Sequence, residues 1–133
     1  SILNTKNLIL LPDPNNYLIY NILNKTNLKS IGKIWCKTRN WDIPYNALDY
    51  TFDWSQTNQE LALEAISEFI KNIFNNINLK YNHIYIEAPE YDQPKINLAK
   101  KLGFNYDGTL KNYFIKPITD DVISTQLFSM TDI

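Results

Sequence analysis

The polar residues best placed to bind a ligand are Asn58, Gln59 and Glu60, because they lie where a strand pattern changes into a helix pattern. Residues 47–54 alternate between apolar and polar side chains, as a half-buried strand does. From Gln59 onwards apolar residues recur at helical spacings, which indicates an amphipathic helix. The first turn of a helix has unpaired backbone N–H groups and the positive end of the helix dipole, which together bind anions. The junction is therefore a candidate site for a phosphate-bearing ligand.

Metal binding and disulfide formation are not expected, since the sequence has one histidine, His83, and one cysteine, Cys36. Zinc sites use several His or Cys ligands, and no cluster of such residues accompanies His83. A lone cysteine cannot form a disulfide within the chain and is typical of a reducing compartment. We therefore predict an intracellular, cytoplasmic protein without a metal site.

Composition predicts one folded domain that spans residues 1–133. Hydrophobic residues make up 44% of the chain and aromatic residues 14%, which excludes an intrinsically disordered protein. The net charge of -1 gives no electrostatic basis for binding nucleic acid or an anionic membrane surface. The sequence contains no apolar run of about 18 residues, so no membrane-spanning helix is predicted.

Strand patterns and helix patterns alternate in the second half of the chain, which predicts an α/β domain with at least one parallel pair of strands. The predicted strands cover residues 8–11, 17–23, 28–35, 47–54, 83–88, 113–115 and 122–127, and the predicted helices cover residues 59–74 and 94–102. Residues 37–46 are predicted to form a loop, because Pro44 accompanies polar spacing there. One stripe of the first helix should pack on the sheet, and it consists of Leu61, Ala65, Ile66, Phe69, Ile70 and Ile73.

The strand–helix junction and its flanks resemble the GCN5-related N-acetyltransferase (GNAT) superfamily, and within it the ribosomal-protein and antibiotic N-acetyltransferases. Seven residues are in register with the strand, phosphate loop and helix of that pattern: Tyr50, Phe52, Asn58, Gln59, Ala62, Glu64 and Ala65. Further along, Lys101-Leu102-Gly103-Phe104 matches the family's K-L-G-F, and Asp107-Gly108 and Asp121-Val122 match two later pieces. The resemblance covers about residues 17–128, and the ordered set is more specific than any one piece.

This resemblance implies a mixed, largely antiparallel and twisted sheet with one parallel β-α-β pair, in the α/β (α+β) class. The predicted parallel neighbours are the strands at 47–54 and 83–88, joined by the helix at 59–74. Family members have one or two helices between their first two strands, whereas only residues 12–16 separate those strands here. So short a segment cannot form a pair of helices. We therefore expect a shortened domain that lacks the usual first helices.

In the family, acetyl coenzyme A (acetyl-CoA) places its pyrophosphate at the start of that helix and its pantetheine arm along the preceding strand. The resemblance implies a cofactor site formed by Phe52, Trp54, Asn58, Gln59, Glu60, Leu61, Ala62 and Asp92. Acetyl transfer also needs a base for the attacking amine and an acid for the leaving thiolate. The candidate base is Asp53 and the candidate acid is Tyr113, with Asp49, Glu87 and Tyr91 as alternatives.

The phosphate loop departs from the family pattern in a way that weakens the predicted cofactor site. Glu60 replaces a glycine and Asp92 replaces an asparagine, so both add negative charge where a polyanion should bind. Glu60 either caps a purely structural helix or points outward and leaves the N–H groups of Leu61 and Ala62 available. We predict that acetyl-CoA binds weakly or not at all.

Two functions remain open that share this fold. The first is an N-acetyltransferase that transfers acetyl from acetyl-CoA to a protein N-terminus or a small amine. The second is a catalytically inactive structural or interaction module, in which a protein partner covers the sheet face left open by the missing helices. Lys95, at a serine position of the family, and Thr125, at a tyrosine position, are further departures. A third hypothesis, an unrelated α/β binding domain, would have a different fold.

Overall fold

The computed structural model describes residues 1–39, 45–75 and 83–131, which contain eight strands and two helices. In chain order these elements are β1 (Leu3–Asn4), β2 (Leu8–Asp13), β3 (Asn16–Asn24), β4 (Ser30–Arg39), β5 (Tyr45–Phe52), α1 (Gln59–Phe74), β6 (His83–Pro89), α2 (Gln93–Lys101), β7 (Asn105–Ile115) and β8 (Val122–Thr131). The strands form one sheet in the spatial order β1-β2-β3-β4-β5-β6-β8-β7. The predicted α/β class is therefore confirmed.

The sheet is mixed, as predicted, because β5 and β6 are parallel while the other neighbours are antiparallel. Asn46 is paired with Ile84 and Ala47 with Tyr85. α1 connects these two strands along the chain. The parallel β-α-β unit that the sequence predicts is confirmed.

α1 forms where the sequence places an apolar stripe, and its N-cap is Asn58 rather than Glu60. The Asn58 Oδ1 atom accepts a hydrogen bond of 3.0 Å from the N–H of Leu61, which satisfies a donor that the helix itself cannot pair. Most of the predicted stripe is buried, namely Ala65, Ile66, Phe69, Ile70 and Ile73, while Leu61 is half-buried. The rings of Phe69 on α1 and Tyr20 on β3 pack in a T-shaped arrangement with their centroids 5.7 Å apart, so α1 packs directly on the sheet.

α2 has a capping group at each end. The Asp92 carboxylate caps it by accepting a 3.2 Å hydrogen bond from the N–H of Lys95. At the other end Gly103 adopts φ +89°, a left-handed conformation that glycine tolerates best. The N–H of Phe104 then reaches the carbonyl of Ala99 at 3.0 Å, the hydrogen bond of a Schellman motif. This motif fixes the direction in which the chain enters β7.

Both helices cover the same face of the sheet, and the core lies between them and the strands. Buried strand residues on that face include Leu8, Leu10, Tyr20, Ile22, Ile34, Leu48, Ile84, Ile86 and Phe128. The intervening side chains, such as Ile9, Ile19 and Trp35, are only half-buried. We call this second, helix-free side the open face. It is open because β2 turns into β3 through Pro14 and Asn15 alone, with no helix between them, as the sequence predicts.

Gly32 allows β4 to approach β5 closely. A Cβ atom at this position would lie 2.3 Å from the carbonyl oxygen of Thr51. The β3–β4 register also shifts between Ile22 and Leu23, directly opposite this part of β4. Gly32 therefore marks both a bulge and a close backbone approach.

Several predicted boundaries are wrong. β1 was not predicted, and β7 begins at Asn105 rather than at residue 113. Residues 37–39 and 45–46 continue the strands β4 and β5 rather than forming a loop, while residues 40–44 lie outside the described part of the chain. Their polar character is compatible with a strand because Thr38 Oγ1 donates to Asn46 Oδ1 across the pair, at 3.0 Å. In addition β5 ends at Phe52, so Asp53 and Trp54 lie in the following turn. The 3.6-residue and 2-residue periods define elements more reliably than they define element ends.

Neither helix in the described ranges is long and apolar enough to cross a membrane.

Candidate functional site

The parallel pair β5–β6 separates after two residues, and this separation creates the candidate site. Pairing occurs at Asn46–Ile84 and Ala47–Tyr85 and then stops. Beyond that point β5 continues along β4 up to Phe52, and β6 continues along β8 up to Pro89. We call the space between the diverging strands the gap. Beyond Ala47–Tyr85 the described residues of β5 and β6 are not paired with each other, which leaves space for a ligand between the two strands.

Asn46 holds the closed end of the gap, and the sequence analysis did not identify it. Its side chain is fully buried, and its Nδ2 atom donates to the carbonyl of His83 on β6 at 3.1 Å. Its Oδ1 atom accepts from Thr38 on β4. One carboxamide thus connects three strands at the point where β5 and β6 diverge. In the sequence, Asn46 is simply an asparagine that precedes a strand pattern. Residue propensity alone predicts a turn at such a position.

The helix-side cavity lies between β5 and α2 and has a volume of about 270 Å³. Its lining includes Tyr50, Phe52, Trp54, Asp92, Pro94 and Lys95. The Tyr50 hydroxyl is buried there with no hydrogen-bond partner among the described residues, and burial raises the pKa of this phenol. An unpaired buried hydroxyl costs free energy, so a ligand group that accepts a hydrogen bond from the Tyr50 hydroxyl would be stabilised in this cavity.

An apolar shelf extends this cavity towards the start of α1. Trp54, Pro94 and Leu98 are shared between the cavity and the shelf, which reaches Gln59. The Trp54 side chain is half exposed and contacts the Phe52 ring at a centroid distance of 5.4 Å. An elongated ligand could therefore lie from the helix-side cavity to the first turn of α1.

The first turn of α1 is partly occupied by the protein's own groups. The Asn58 side chain accepts a hydrogen bond from the N–H of Leu61, and the Asn58 backbone carbonyl accepts one from the N–H of Ala62, each at 3.0 Å. These two donors are therefore not available, contrary to one of the two alternatives predicted for Glu60. Glu60 is exposed and is not the cap either, because Asn58 has that role. Within the described chain, the N–H groups of Gln59 and Glu60 have no acceptor and remain available to an anion.

Lys95 extends from α2 to β5, on one side of the gap. From the first turn of α2 its Nζ atom reaches the Asp49 carboxylate on β5 at 2.7 Å, and it lies 5.6 Å from the centre of the Tyr50 ring. The Lys95 side chain is only 13% exposed. The same Asp49 carboxylate accepts the N–H of Tyr50 at 2.8 Å. This ion pair separates the helix-side cavity from a second cavity on the open face, since Lys95 lines both.

The open-face cavity also measures about 270 Å³. The strands on its two sides contribute Asp49 from β5 and Glu87 from β6, and the β7–β8 hairpin contributes Tyr113, Phe114 and Thr125. Thr125 is 2% exposed, and its hydroxyl has no partner among the described residues. Two carboxylates, a tyrosine and a lysine therefore meet at the gap, a combination that can accept, donate and transfer protons.

The structure groups some of the predicted site residues and separates others. Tyr113 lies in the open-face cavity, and the predicted cofactor residues Phe52, Trp54 and Asp92 line the helix-side cavity. Asp53 lines neither cavity. Its exposed carboxylate accepts hydrogen bonds from the Ser55 and Gln56 side chains in its own turn, and these bonds lower its pKa.

Tyr91 also lies outside both cavities, with the Lys116 ammonium 4.6 Å from the centre of its exposed ring. The alternative candidates Asp49 and Glu87 are the carboxylates that reach the gap.

No protein-family model matches the sequence, and no curated protein matches it significantly. Solved structures do match the fold. A GNAT-family acetyltransferase from Bacillus anthracis superimposes with a TM-score of 0.80 at 11% identity, over 98% of both chains. A GCN5-related N-acetyltransferase from Brucella melitensis gives 0.79 at 13% identity, over 98% of this chain and 78% of the other.

A ribosomal-protein-S5-alanine acetyltransferase from Vibrio fischeri superimposes with a TM-score of 0.71 at 18% identity. That match covers 85% of this chain but only 60% of the other, so the present chain is considerably shorter than this enzyme. The sequence identities are low and the structural agreement is high. The chain therefore has the GNAT fold, as the sequence resemblance implies.

Proposed function

We propose that this protein is a small N-acyltransferase that binds acetyl-CoA weakly and transfers its acetyl group to a primary amine. The observation that carries the proposal is the gap between β5 and β6, with one cavity on each face of the sheet and Lys95 between them. Two reactants that enter from opposite faces would meet at this point. The acetyltransferases with the same fold support acetyl transfer as the reaction class.

The residues of the helix-side cavity suit most of the cofactor. The N–H groups of Gln59 and Glu60 would hold its phosphates, and the shelf at Trp54 would hold an apolar or planar part. When bound, acetyl-CoA supplies the acetyl group as a reactive thioester. Lys95 would have to shift for the acyl end to reach the gap, because its ion pair with Asp49 now occupies that position. This obstacle adds to the charge of Glu60 as a reason for weak binding.

Asp49 and Glu87 are the bases that this site offers. Both line the open-face cavity, one on each side of the gap, so either can accept a proton from an amine placed between them. Tyr113 lies in the same cavity and would act as the acid. Asp53, the base suggested by the family resemblance, is less suitable because its carboxylate is engaged in a surface turn.

A second candidate is an inactive interaction module, and the Lys95–Asp49 ion pair favours it. Because Lys95 and Asp49 already pair with each other, neither needs a ligand as a partner. In that case a protein partner would cover the open face, where the family's first helices are missing. The two candidates make opposite predictions for acetyl-CoA.

Isothermal titration calorimetry with acetyl-CoA tests the proposal. We expect weak binding to the unmodified chain, and we expect Glu60→Gly to tighten it at least tenfold, which is about 1.4 kcal/mol, by removing a like charge beside the phosphates. Glu68→Gln on the same helix is the matched control and should leave the affinity unchanged. Micromolar binding by the unmodified chain would contradict the predicted weakness and favour an efficient enzyme. Absence of binding to both chains would favour the interaction module.

A further inference from the structure

Two charged side chains that line the open-face cavity have no charged partner among the described residues. Among the charges that line it, Asp49 and Lys95 neutralise each other at 2.7 Å. Lys37 on β4 and Glu87 on β6 also line it, and within the described residues neither takes part in an ion pair or side-chain hydrogen bond. In the part of the chain that the structure describes, one positive and one negative charge are thus available to a ligand in the cavity.

These two charges lie on opposite sides of the gap. Lys37 is opposite Ala47, Ala47 is opposite Tyr85, and Glu87 lies two residues further along β6. With paired strands about 4.8 Å apart and a rise of about 3.3 Å per residue, the Cα atoms of Lys37 and Glu87 would be roughly 12 Å apart, and the divergence of β5 from β6 makes this a lower bound. The side chains of Lys37 and Glu87 are long enough for their charged groups to contact a small molecule that lies between them.

A third group in the cavity lacks a partner as well. Thr125 is 2% exposed, yet its hydroxyl has no hydrogen-bond partner in the described part of the chain. Buried hydroxyls are nearly always paired, so an unpaired one beside a cavity points to a bound group. Thr125 and Glu87 lie on adjacent strands, β8 and β6, on the same side of the gap.

We infer that the open-face cavity binds a free amino acid, with its ammonium group at Glu87 and Thr125 and its carboxylate at Lys37. Trp35, Tyr113 and Phe114 supply aromatic walls for the side chain of the ligand. A cavity of about 270 Å³ holds about nine water molecules, which is the scale of such a ligand. A peptide N-terminus fits less well, because an amide follows its first residue and would leave Lys37 unpaired.

This inference deepens the proposed function, since it identifies the amine that would receive the acetyl group. It does not require the cofactor for its test. Binding of an amino acid and binding of acetyl-CoA are separate measurements, so the failure of one is distinguishable from the failure of the other.

The first step of the test is a screen of the twenty standard amino acids by saturation-transfer NMR, on the full chain and without acetyl-CoA. The best ligand is then compared by calorimetry with its amide, which lacks the carboxylate, and with its N-acetyl derivative, which lacks the ammonium group. We expect each derivative to bind at least tenfold more weakly than the free amino acid.

Two charge-removing variants assign the contacts. Lys37→Gln should abolish the difference between the amino acid and its amide, and Glu87→Gln should abolish the difference between the amino acid and its N-acetyl derivative. Lys33→Gln is the matched control for the first, because Lys33 is exposed on β4 but does not line this cavity. Glu90→Gln, just after β6, is the control for the second. Circular dichroism of every variant checks that the fold is intact.

Several outcomes would overturn the inference. They are the absence of binding by all twenty amino acids, equal affinities for the acid and its amide, and equal effects of the cavity variants and their controls. If an amino acid binds as expected but acetyl-CoA does not, the cavity assignment stands and the transferase proposal falls.

Discussion

Lys95 lies between the two cavities and, through its ion pair with Asp49, separates them. A buried ammonium group is stable only when it is paired, and Asp49 on β5 provides that partner. The ion pair joins α2 to β5. The Asp92 cap separately stabilises the first turn of α2. Lys95 therefore determines both the stability of this region and whether the two cavities communicate.

The buried Thr125 hydroxyl is expected to reduce the stability of the protein when no ligand is bound. Thr125→Val keeps the shape of the side chain and removes a buried polar group that has no partner, so the unfolding free energy should rise by about 1 kcal/mol. Urea denaturation without ligand measures this change. Thr51→Val, at an exposed position of β5, is the control and should stay within about 0.5 kcal/mol of the unmodified protein. A loss of stability in Thr125→Val would reveal a hydrogen bond to this hydroxyl.

At the scale of elements, α1 organises the fold because it packs on the sheet and also anchors the N-terminal strands. Its buried stripe contacts the core, while Glu64 on another side accepts hydrogen bonds from the Thr5 hydroxyl at 2.5 Å and the Asn7 backbone N–H at 3.0 Å. The sequence pattern places Glu64 on the polar side of the helix. The structure shows that this polar side fixes the turn between β1 and β2.

Phe69→Ala should lower the unfolding free energy by about 3 to 5 kcal/mol. The ring is fully buried between α1 and the sheet, so its removal loses apolar burial and leaves a cavity beside Tyr20. Urea denaturation again provides the measurement. Lys71→Ala, exposed on the same helix, should change stability by less than about 0.5 kcal/mol. A loss below about 1 kcal/mol for Phe69→Ala would contradict the packing described here.

Glu64 gives the protein a pH-dependent contribution to stability. Partial burial opposes ionisation of Glu64, but the hydrogen bonds from Thr5 and Asn7 outweigh it, so its pKa is lower in the folded state. A lowered pKa stabilises the fold above the unfolded value of 4.5, and the contribution is lost as the pH falls through the folded value.

We expect Glu64→Gln to cost about 1 kcal/mol at pH 7 and less at pH 3, because the contribution of the ionised carboxylate decreases as the pH falls below 4.5. Urea titrations at both pH values measure the difference. Glu68→Gln, on the same helix, serves as the control. Equal losses at the two pH values would exclude an ionised Glu64 as the cause.

At the scale of the whole molecule, the sheet has one covered face and one open face, and its edge strand β7 carries exposed apolar side chains. Tyr113, Ile115 and Ile118 are exposed in this hairpin, with Ile118 at 96%. The net charge is -1 and the pI about 5.7, so charge repulsion between molecules is weak near that pH. Self-association through this edge is the expected consequence.

Ile118→Glu should raise the solubility of the protein without changing its stability. The substitution removes the most exposed apolar side chain of the hairpin and adds one negative charge. Solubility near pH 5.7 should increase, while the unfolding free energy stays within about 0.5 kcal/mol of the original value. Precipitation assays and urea denaturation measure the two quantities. A large fall in stability would mean that Ile118 packs against another part of the chain.

The sequence determined the two helices and most of the strands in their order, because the signals for them are local. Alternation identified β5, and spacing identified the buried stripe of α1. The family motifs then predicted the parallel β-α-β pair. These features depend on residues within one or two turns of each other, so a single pass along the chain can detect them.

Only the tertiary structure decided the composition of the site, because it depends on distances between residues remote in the chain. Lys95 meets Asp49 across 46 residues, and Asn46 joins three strands at the closed end of the gap. Asp53 has the right chemistry for a base, yet it lies one residue past the end of β5 and is drawn into a turn. Side-chain direction at a strand end and the divergence of two strands arise from packing, and no local pattern encodes them.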